Sequence, residues 1–133
     1  MTAADMTPEA AALAVKWLSI RSGAAFASDW MPQTGIAVYD GDTIRAAVVV
    51  YLERTSPVAV LGWCAANPDN TARQSSAAVD LALSAAPGYA RRMGATHLIG
   101  MFGNRALNRR LERMGFARGD SMVEQKYIKL IAR

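Results

Sequence analysis

The stretch NPDNTARQSSAAVD, residues 67–80, joins an apolar run to a helical pattern, and it gathers the groups best suited to holding a phosphate. A helix start offers N–H groups with no partner inside the helix, together with the positive end of the helix dipole. It therefore attracts anions without needing a charged side chain. Arg73 adds a mobile cation, and Thr71, Ser75 and Ser76 add hydroxyl donors. The stretch has no glycine, the residue that lets a phosphate come close to the backbone. Taken alone, the plainer reading is an ordinary helix start, with Asn70 or Thr71 as N-cap and nothing bound.

Other reactive side chains are few. A single cysteine, Cys64, excludes an intrachain disulfide and a cysteine-cluster zinc site, and a single histidine, His97, argues against a transition-metal site, so no metal is expected. Arginine supplies the net charge of +4, with 12 Arg against 3 Lys. Arg91, Arg92, Arg105, Arg109, Arg110 and Arg113 cluster late and suit an anionic partner. A solvated helix face is the plainer reading of them.

These groups must be positioned by one domain. The chain has 133 residues, 52% of them apolar and 20% charged, which fits a folded globular protein with one proper core. We expect a single domain over residues 1–133, with a helical part to residue 34 and a sheet core from residue 35. MTAADMTPEA carries Asp5 and Glu9 and no basic start, unlike a secretory signal. The longest uncharged run, TSPVAVLGWCAANP, has 14 residues and two prolines, too short and broken to span a bilayer. The expectation is a soluble, cytoplasmic protein of a bacterium or an infected host, with no membrane partner.

Thr7 as N-cap and Pro8 at the first helical position open a helix that carries Leu13, Trp17 and Ile20 and stops at Gly23. No strand precedes it. AAFASDWMPQT fits a short helix or a loop. Two strands then flank Asp40-Gly41 as a hairpin, and VAVLGWCAAN is apolar enough for a central strand. A helix follows with Ala77, Ala78, Leu81, Ala82 and Ala85 as its apolar stripe; Pro87 should kink or split it, and Gly94 ends it. THLIGMF is a strand and NRALNRRLERMGF a short helix. The inner face of that helix holds Ala106, Leu107, the stem of Arg110, Leu111 and Met114, and Gly115 and Phe116 close it as a Schellman cap. The tail alternates weakly and predicts one or two strands. The order indicates an α/β (α+β) domain: a mixed, mostly antiparallel, twisted sheet flanked by helices, with a parallel crossover in its second half.

This order, with two motifs, resembles the GNAT superfamily of N-acetyltransferases. The family's phosphate loop reads Gln/Arg-x-x-Gly-x-Gly/Ala, and RQSSAA places Arg73, Ser76 and Ala78 at its three defining positions, with Ser76 in place of the middle glycine. NRALNRRLERMGF is similar to the family's late helix, with Asn104 seven residues before Leu111 and Gly115-Phe116 behind it. Leu111 occupies the position that often carries a general-acid tyrosine. The resemblance covers residues 35–133. The alanine- and arginine-rich style also resembles small acetyltransferase-like proteins of bacteriophages.

The resemblance implies acetyl-coenzyme A as cosubstrate and an amine, on a small molecule or a protein, as acceptor. It implies that Trp63, Cys64 and Ala65 lie on the strand that pairs with the pantetheine arm. It implies that Arg73, Gln74, Ser75, Ser76, Ala77 and Ala78 form the pyrophosphate loop, mostly through backbone N–H groups. Asn104 and Asn108 match positions near the arm. Glu53 is the best-placed candidate base, against a plainer reading as an exposed strand-end carboxylate. Tyr127 and Tyr89 are candidate replacements for the absent acid. Cys64 as nucleophile and His97 as a functional group are the weaker readings, since buried cysteines mostly act as small hydrophobes. Two other functions stay open. One is a GNAT-like protein that binds without catalysis, favoured by Ser76 and Leu111. The other is a nucleic-acid binder using Arg105, Arg109 and Arg113, less favoured because no aromatic residues interleave with them. An apolar last strand could pair with a second copy as a homodimer.

Overall fold

The chain begins with a strand that its sequence does not announce. Residues Thr2–Asp5 (β1) pair antiparallel with Gly35–Asp40 (β2), from Thr2↔Tyr39 to Asp5↔Ile36. The expectation that no strand precedes the first helix is therefore corrected. TAAD is a sheet edge, mostly exposed, so it carries no apolar alternation, and its backbone pairing with β2 makes it a strand. The computed structural model describes residues 1–23 and 31–119.

Helix α1, Pro8–Ser22, starts and stops where expected. The Thr7 hydroxyl oxygen accepts from the Ala10 N–H at 3.2 Å, and Gly23 ends the helix with φ 70° while donating to the Ser19 carbonyl. Its buried residues include Ala10, Ala14, Trp17 and Leu18, one stripe at helical spacing.

β2 turns into β3, Thr43–Leu52, through the two-residue loop Gly41-Asp42, where only Gly41 takes positive φ, as in type II′ turns. β4, Val58–Ala66, pairs antiparallel with β3, and β5, His97–Gly100, pairs parallel with β4. The sheet runs β1-β2-β3-β4-β5, mixed and mostly antiparallel, as expected. Ala37, Ala47, Val49, Trp63 and Ala65 pack with α1 on one face. The alternate residues Val38, Val48, Val50 and Leu61 are fully buried on the other, where α2, Ala72–Arg92, packs against β2, β3 and β4.

Two details of α2 differ from expectation. The helix runs through Pro87 without being split. Its buried stripe is Ala78, Val79, Ala82, Leu83, Ala86, Tyr89 and Ala90, so Ala77, Leu81 and Ala85 lie off the buried face. Alanine abounds on every side of this helix, so periodicity picks out a stripe rotated by about one position; Val79 and Leu83 set the true one. At its far end Arg92 donates to both carboxylate oxygens of Asp5, at 2.8 and 3.1 Å, which ties β1 to α2.

These elements form one unit, Met1–Met101; residues Phe102–Arg133 form a second. Among the described residues the second unit contains α3, Arg105–Arg113. Its end is a Schellman motif as predicted: Phe116 N–H donates to the Leu111 carbonyl and Gly115 N–H to that of Glu112, with Gly115 at φ 99°. Leu111 is its buried residue, while Ala106 is exposed rather than on the inner face. The readings of residues 24–30 as short helix or loop, of the tail as strands, and of Tyr127 as acid lie outside the described residues. No helix among the described residues is long and apolar enough to cross a membrane.

Candidate functional site

β4 and β5 run together only briefly. Their ladder joins Val58↔His97 through Leu61↔Gly100, and Met101 N–H closes it on the Leu61 carbonyl at 3.2 Å. β4 continues to Ala66, so residues 62–66 extend past the last β5 pair. The parting coincides with a β-bulge. Val49 pairs with Trp63 and Val50 with Leu61, which leaves Gly62 as the extra residue. A bulge bends its strand and re-aims the residues beyond it.

Gly62 is required there. A Cβ would overlap Cε2 and Cδ2 of the Tyr51 ring. The Tyr51 hydroxyl in turn accepts the Trp63 indole N–H at 3.0 Å, so the residue after the bulge is also held. A lone glycine inside a strand pattern marks a bulge or a close approach; at Gly62 it marks both.

Beyond the bulge the backbone direction can be read. Asn67 N–H donates to the Arg45 carbonyl at 2.9 Å and so faces β3. By alternation Ala65 faces β3 as well, and Cys64 faces the opposite side, toward the gap left by β5. Consistent with this, the Cys64 carbonyl accepts from Nη1 of Arg21, a side chain of α1, at 3.2 Å.

β4 leads into the loop before α2, and Arg45 fastens that loop. Arg45 is itself a bulge residue, left over between Val38↔Ala46 and Tyr39↔Ile44. Its carbonyl accepts from Asn67 N–H and from Asn70 Nδ2, and its Nη1 donates to Asn70 Oδ1 at 3.2 Å. Asn70 Nδ2 also reaches the Ser75 hydroxyl oxygen, at 3.3 Å. Thr71 is the N-cap and forms a capping box: its hydroxyl oxygen accepts from Gln74 N–H, and Gln74 Oε1 accepts from Thr71 N–H.

This geometry shows which N–H groups of the stretch are already engaged. Ser75 N–H already donates to the Thr71 carbonyl, so from Ser75 onward the N–H groups belong to the helix ladder. Ser76, Ala77 and Ala78 cannot offer backbone donors to an anion. The capping box also occupies the N–H of Gln74 and of Thr71. Among the described residues only the N–H groups of Ala72 and Arg73 at this helix start lack an acceptor. The N–H groups without an acceptor lie N-terminal to residue 76. The first turn of α2 holds no acidic residue, although carboxylates are favoured there, and the exposed Arg73 has no ion-pair partner among the described residues. The helix start therefore keeps its positive field.

The other expected residues fall elsewhere. Glu53 lies just past β3, opposite the start of β4, roughly 17 Å along the strand from Cys64 at 3.3 Å per residue. Its carboxylate accepts from the Thr55 N–H, the Thr55 hydroxyl and the Arg54 N–H, which hold it below the ordinary glutamate range. That makes it a turn cap and a weak base. Cys64 is buried, and His97 is exposed beside the Thr96 hydroxyl, opposite Val58. Tyr89 is buried under the Arg92 guanidinium. In the second unit Asn104 is the N-cap of α3, accepting from Ala106 and Leu107 N–H, and Asn108 donates to the Phe102 carbonyl. Arg105, Arg109 and Arg113 are exposed at steps of four along α3. Sequence reasoning missed Gly62, Arg45 and Arg21. Only Gly62 carried a local sign.

No protein-family model and no curated protein matches the sequence. Solved structures do match by shape. A probable acetyltransferase is 14% identical with a TM-score of 0.68, covering 100% of this chain and 99% of its own. The aminoglycoside antibiotic 6'-N-acetyltransferase AAC(6')-IG from Acinetobacter haemolyticus, in its apo form, is 17% identical with a TM-score of 0.56, covering 97% and 100%. At these identities the likeness establishes a shared fold, in agreement with the GNAT-like architecture read from the sequence.

Proposed function

We propose that this chain, which has the GNAT acetyltransferase fold, takes an acetyl group from acetyl-coenzyme A and delivers it to an amine. The observation that carries the reading is the parting of β4 from β5 at the Gly62 bulge, at the end of the sheet where α2 begins with an unneutralised positive terminus. A strand that outruns its neighbour can pair with an extended amide-bearing chain, and the adjoining helix start suits a pyrophosphate. Both features fit coenzyme A. In this reading the backbone around Trp63, Cys64 and Ala65 would hold the pantetheine arm. The N–H groups of Ala72 and Arg73, the Arg73 side chain and the Ser75 and Ser76 hydroxyls would hold the pyrophosphate. Gln74, Ala77 and Ala78 support that turn, and Asn104 and Asn108 are assigned to the arm by family register alone.

When bound, acetyl-coenzyme A supplies an activated acyl thioester. The chain must then orient the amine against it and remove the amine's proton. Glu53 is poorly suited to that task, being far along the strand and held anionic by its turn. A specific observation favours a second reading, in which the chain binds coenzyme A without catalysis: Leu111, at the family's tyrosine position, is buried and has no proton to give.

Thermal unfolding with and without acetyl-coenzyme A tests the shared part of both readings. A ligand bound only by the folded state stabilises it by about 2.7 kcal/mol at a hundred times its Kd. If saturating acetyl-coenzyme A and coenzyme A both leave the melting temperature unmoved, both readings fail. Release of free thiol in the presence of amines separates the enzyme from the binder.

A further inference from the structure

We propose that Arg21 reads the acceptor, and that the acceptor is a small amine bearing a carboxylate, such as a free amino acid. This rests on the coenzyme reading above and names the substrate class of the same site. Three observations carry it.

The first is where Arg21 sits on its helix. Ala10, Ala14, Trp17 and Leu18 form the sheet-facing stripe of α1, and residue 21 comes four after Trp17 and three after Leu18. The stripe therefore continues onto an arginine. A cation in the last turn complements the helix dipole, but any position of that turn would do so. This one points over the sheet.

The second is what it touches. Nη1 donates to the Cys64 carbonyl, which faces the gap where β5 has left β4. The guanidinium is thus fixed at the side of the gap where the acetyl-bearing end of the arm would lie.

The third is what it lacks. Arg92 is paired with Asp5, Arg118 with Glu112, and Arg45 lies 3.8 Å from Asp40. Among the described residues no carboxylate pairs with Arg21; its bond is to a neutral carbonyl. The remaining N–H groups of a rigid planar fork stay available, and that fork matches a carboxylate in two parallel hydrogen bonds. An exposed cation that follows the sheet-facing stripe, with no carboxylate partner among the described residues, suits an anion brought by the substrate.

The test is acetylation of a panel of L-amino acids against the same amino acids as carboxamides, with acetyl-coenzyme A and thiol release as readout. Arg21→Gln and Arg21→Lys are run beside the native chain, and melting temperatures are taken with and without acetyl-coenzyme A. The expected result is a kcat/KM for at least one amino acid tenfold or more above that of its amide. Arg21→Gln should abolish that preference by raising KM with kcat little changed, while acetyl-coenzyme A stabilises all three proteins equally. Arg21→Lys, which keeps the charge and loses the fork, should fall between. Stabilisation by acetyl-coenzyme A with no preference for the acids, with no acetylation of any acid, or with a preference that survives Arg21→Gln overturns this inference and leaves the coenzyme reading standing. Loss of stabilisation in the native chain overturns both.

Discussion

Gly62 lies so close to the Tyr51 ring that a Cβ on residue 62 would overlap Cδ2 and Cε2. The same glycine is the extra residue of the β4 bulge, and β5 stops pairing one residue before it. Ring, bulge and parting strands are therefore one device. Gly62→Ala must push the ring or the strand aside, and overpacking of this kind costs about 1–3 kcal/mol. Denaturant unfolding measures it. A cost within experimental error would mean that Tyr51 moves freely and does not shape the bulge.

Ser76 is a helix residue in this structure, so restoring the family's glycine should bring no gain in coenzyme affinity. Ser76→Gly should instead lower stability by roughly 0.5–1 kcal/mol, the ordinary cost of glycine inside a helix. Calorimetric titration with coenzyme A checks the first point and denaturant unfolding the second. A tenfold gain in affinity would show that the N–H groups at 76–78 can be released from the ladder.

Arg73 and the cap beside it should separate binding from stability. Arg73→Glu places a carboxylate at the helix start, which the dipole favours, so the fold should be unharmed while coenzyme A affinity falls tenfold or more. Thr71→Ala removes the N-cap and should cost about 1 kcal/mol of stability. Titration and unfolding on both variants read the two effects. Equal affinity in Arg73→Glu would place the pyrophosphate elsewhere.

The Asp5–Arg92 pair predicts a pH effect on the hold between β1 and α2. The hydrogen bond from Arg92 keeps the Asp5 carboxyl below its ordinary value. A depressed folded value means the contribution is present above the ordinary aspartate pKa and lost as pH falls through the folded one. Asp5→Asn should therefore lower the melting temperature slightly at pH 7 and make no difference in strong acid, below the folded value. Both groups are well exposed, so the effect is small. A difference that grows with acid would reverse the sign and refute the pairing.

The legible and the hidden parts of this fold divide by range. Thr7-Pro8, Asp40-Gly41 and Met114-Gly115-Phe116 act through neighbours a few residues away, and each element they mark is present. β1 has no such sign because Thr2 to Asp5 are mostly exposed, and only pairing with β2 defines them. Periodicity misplaces the α2 stripe because alanine fits either side of a helix packed on a sheet. At the site the strand–loop–helix junction is legible, but the helix starts early enough to enclose Ser76. The bond from Arg21 to Cys64 spans 43 positions, and nothing near either residue announces it.

The most direct test of the coenzyme site is an amide NMR titration of the native chain with acetyl-coenzyme A. The largest shifts are expected on residues 62–66 and on Ala72 and Arg73, where β4 has parted from β5 and the helix start keeps unpaired donors. Shifts confined to the other end of the sheet, around Glu53 and Val58, or none at saturating ligand, would contradict it.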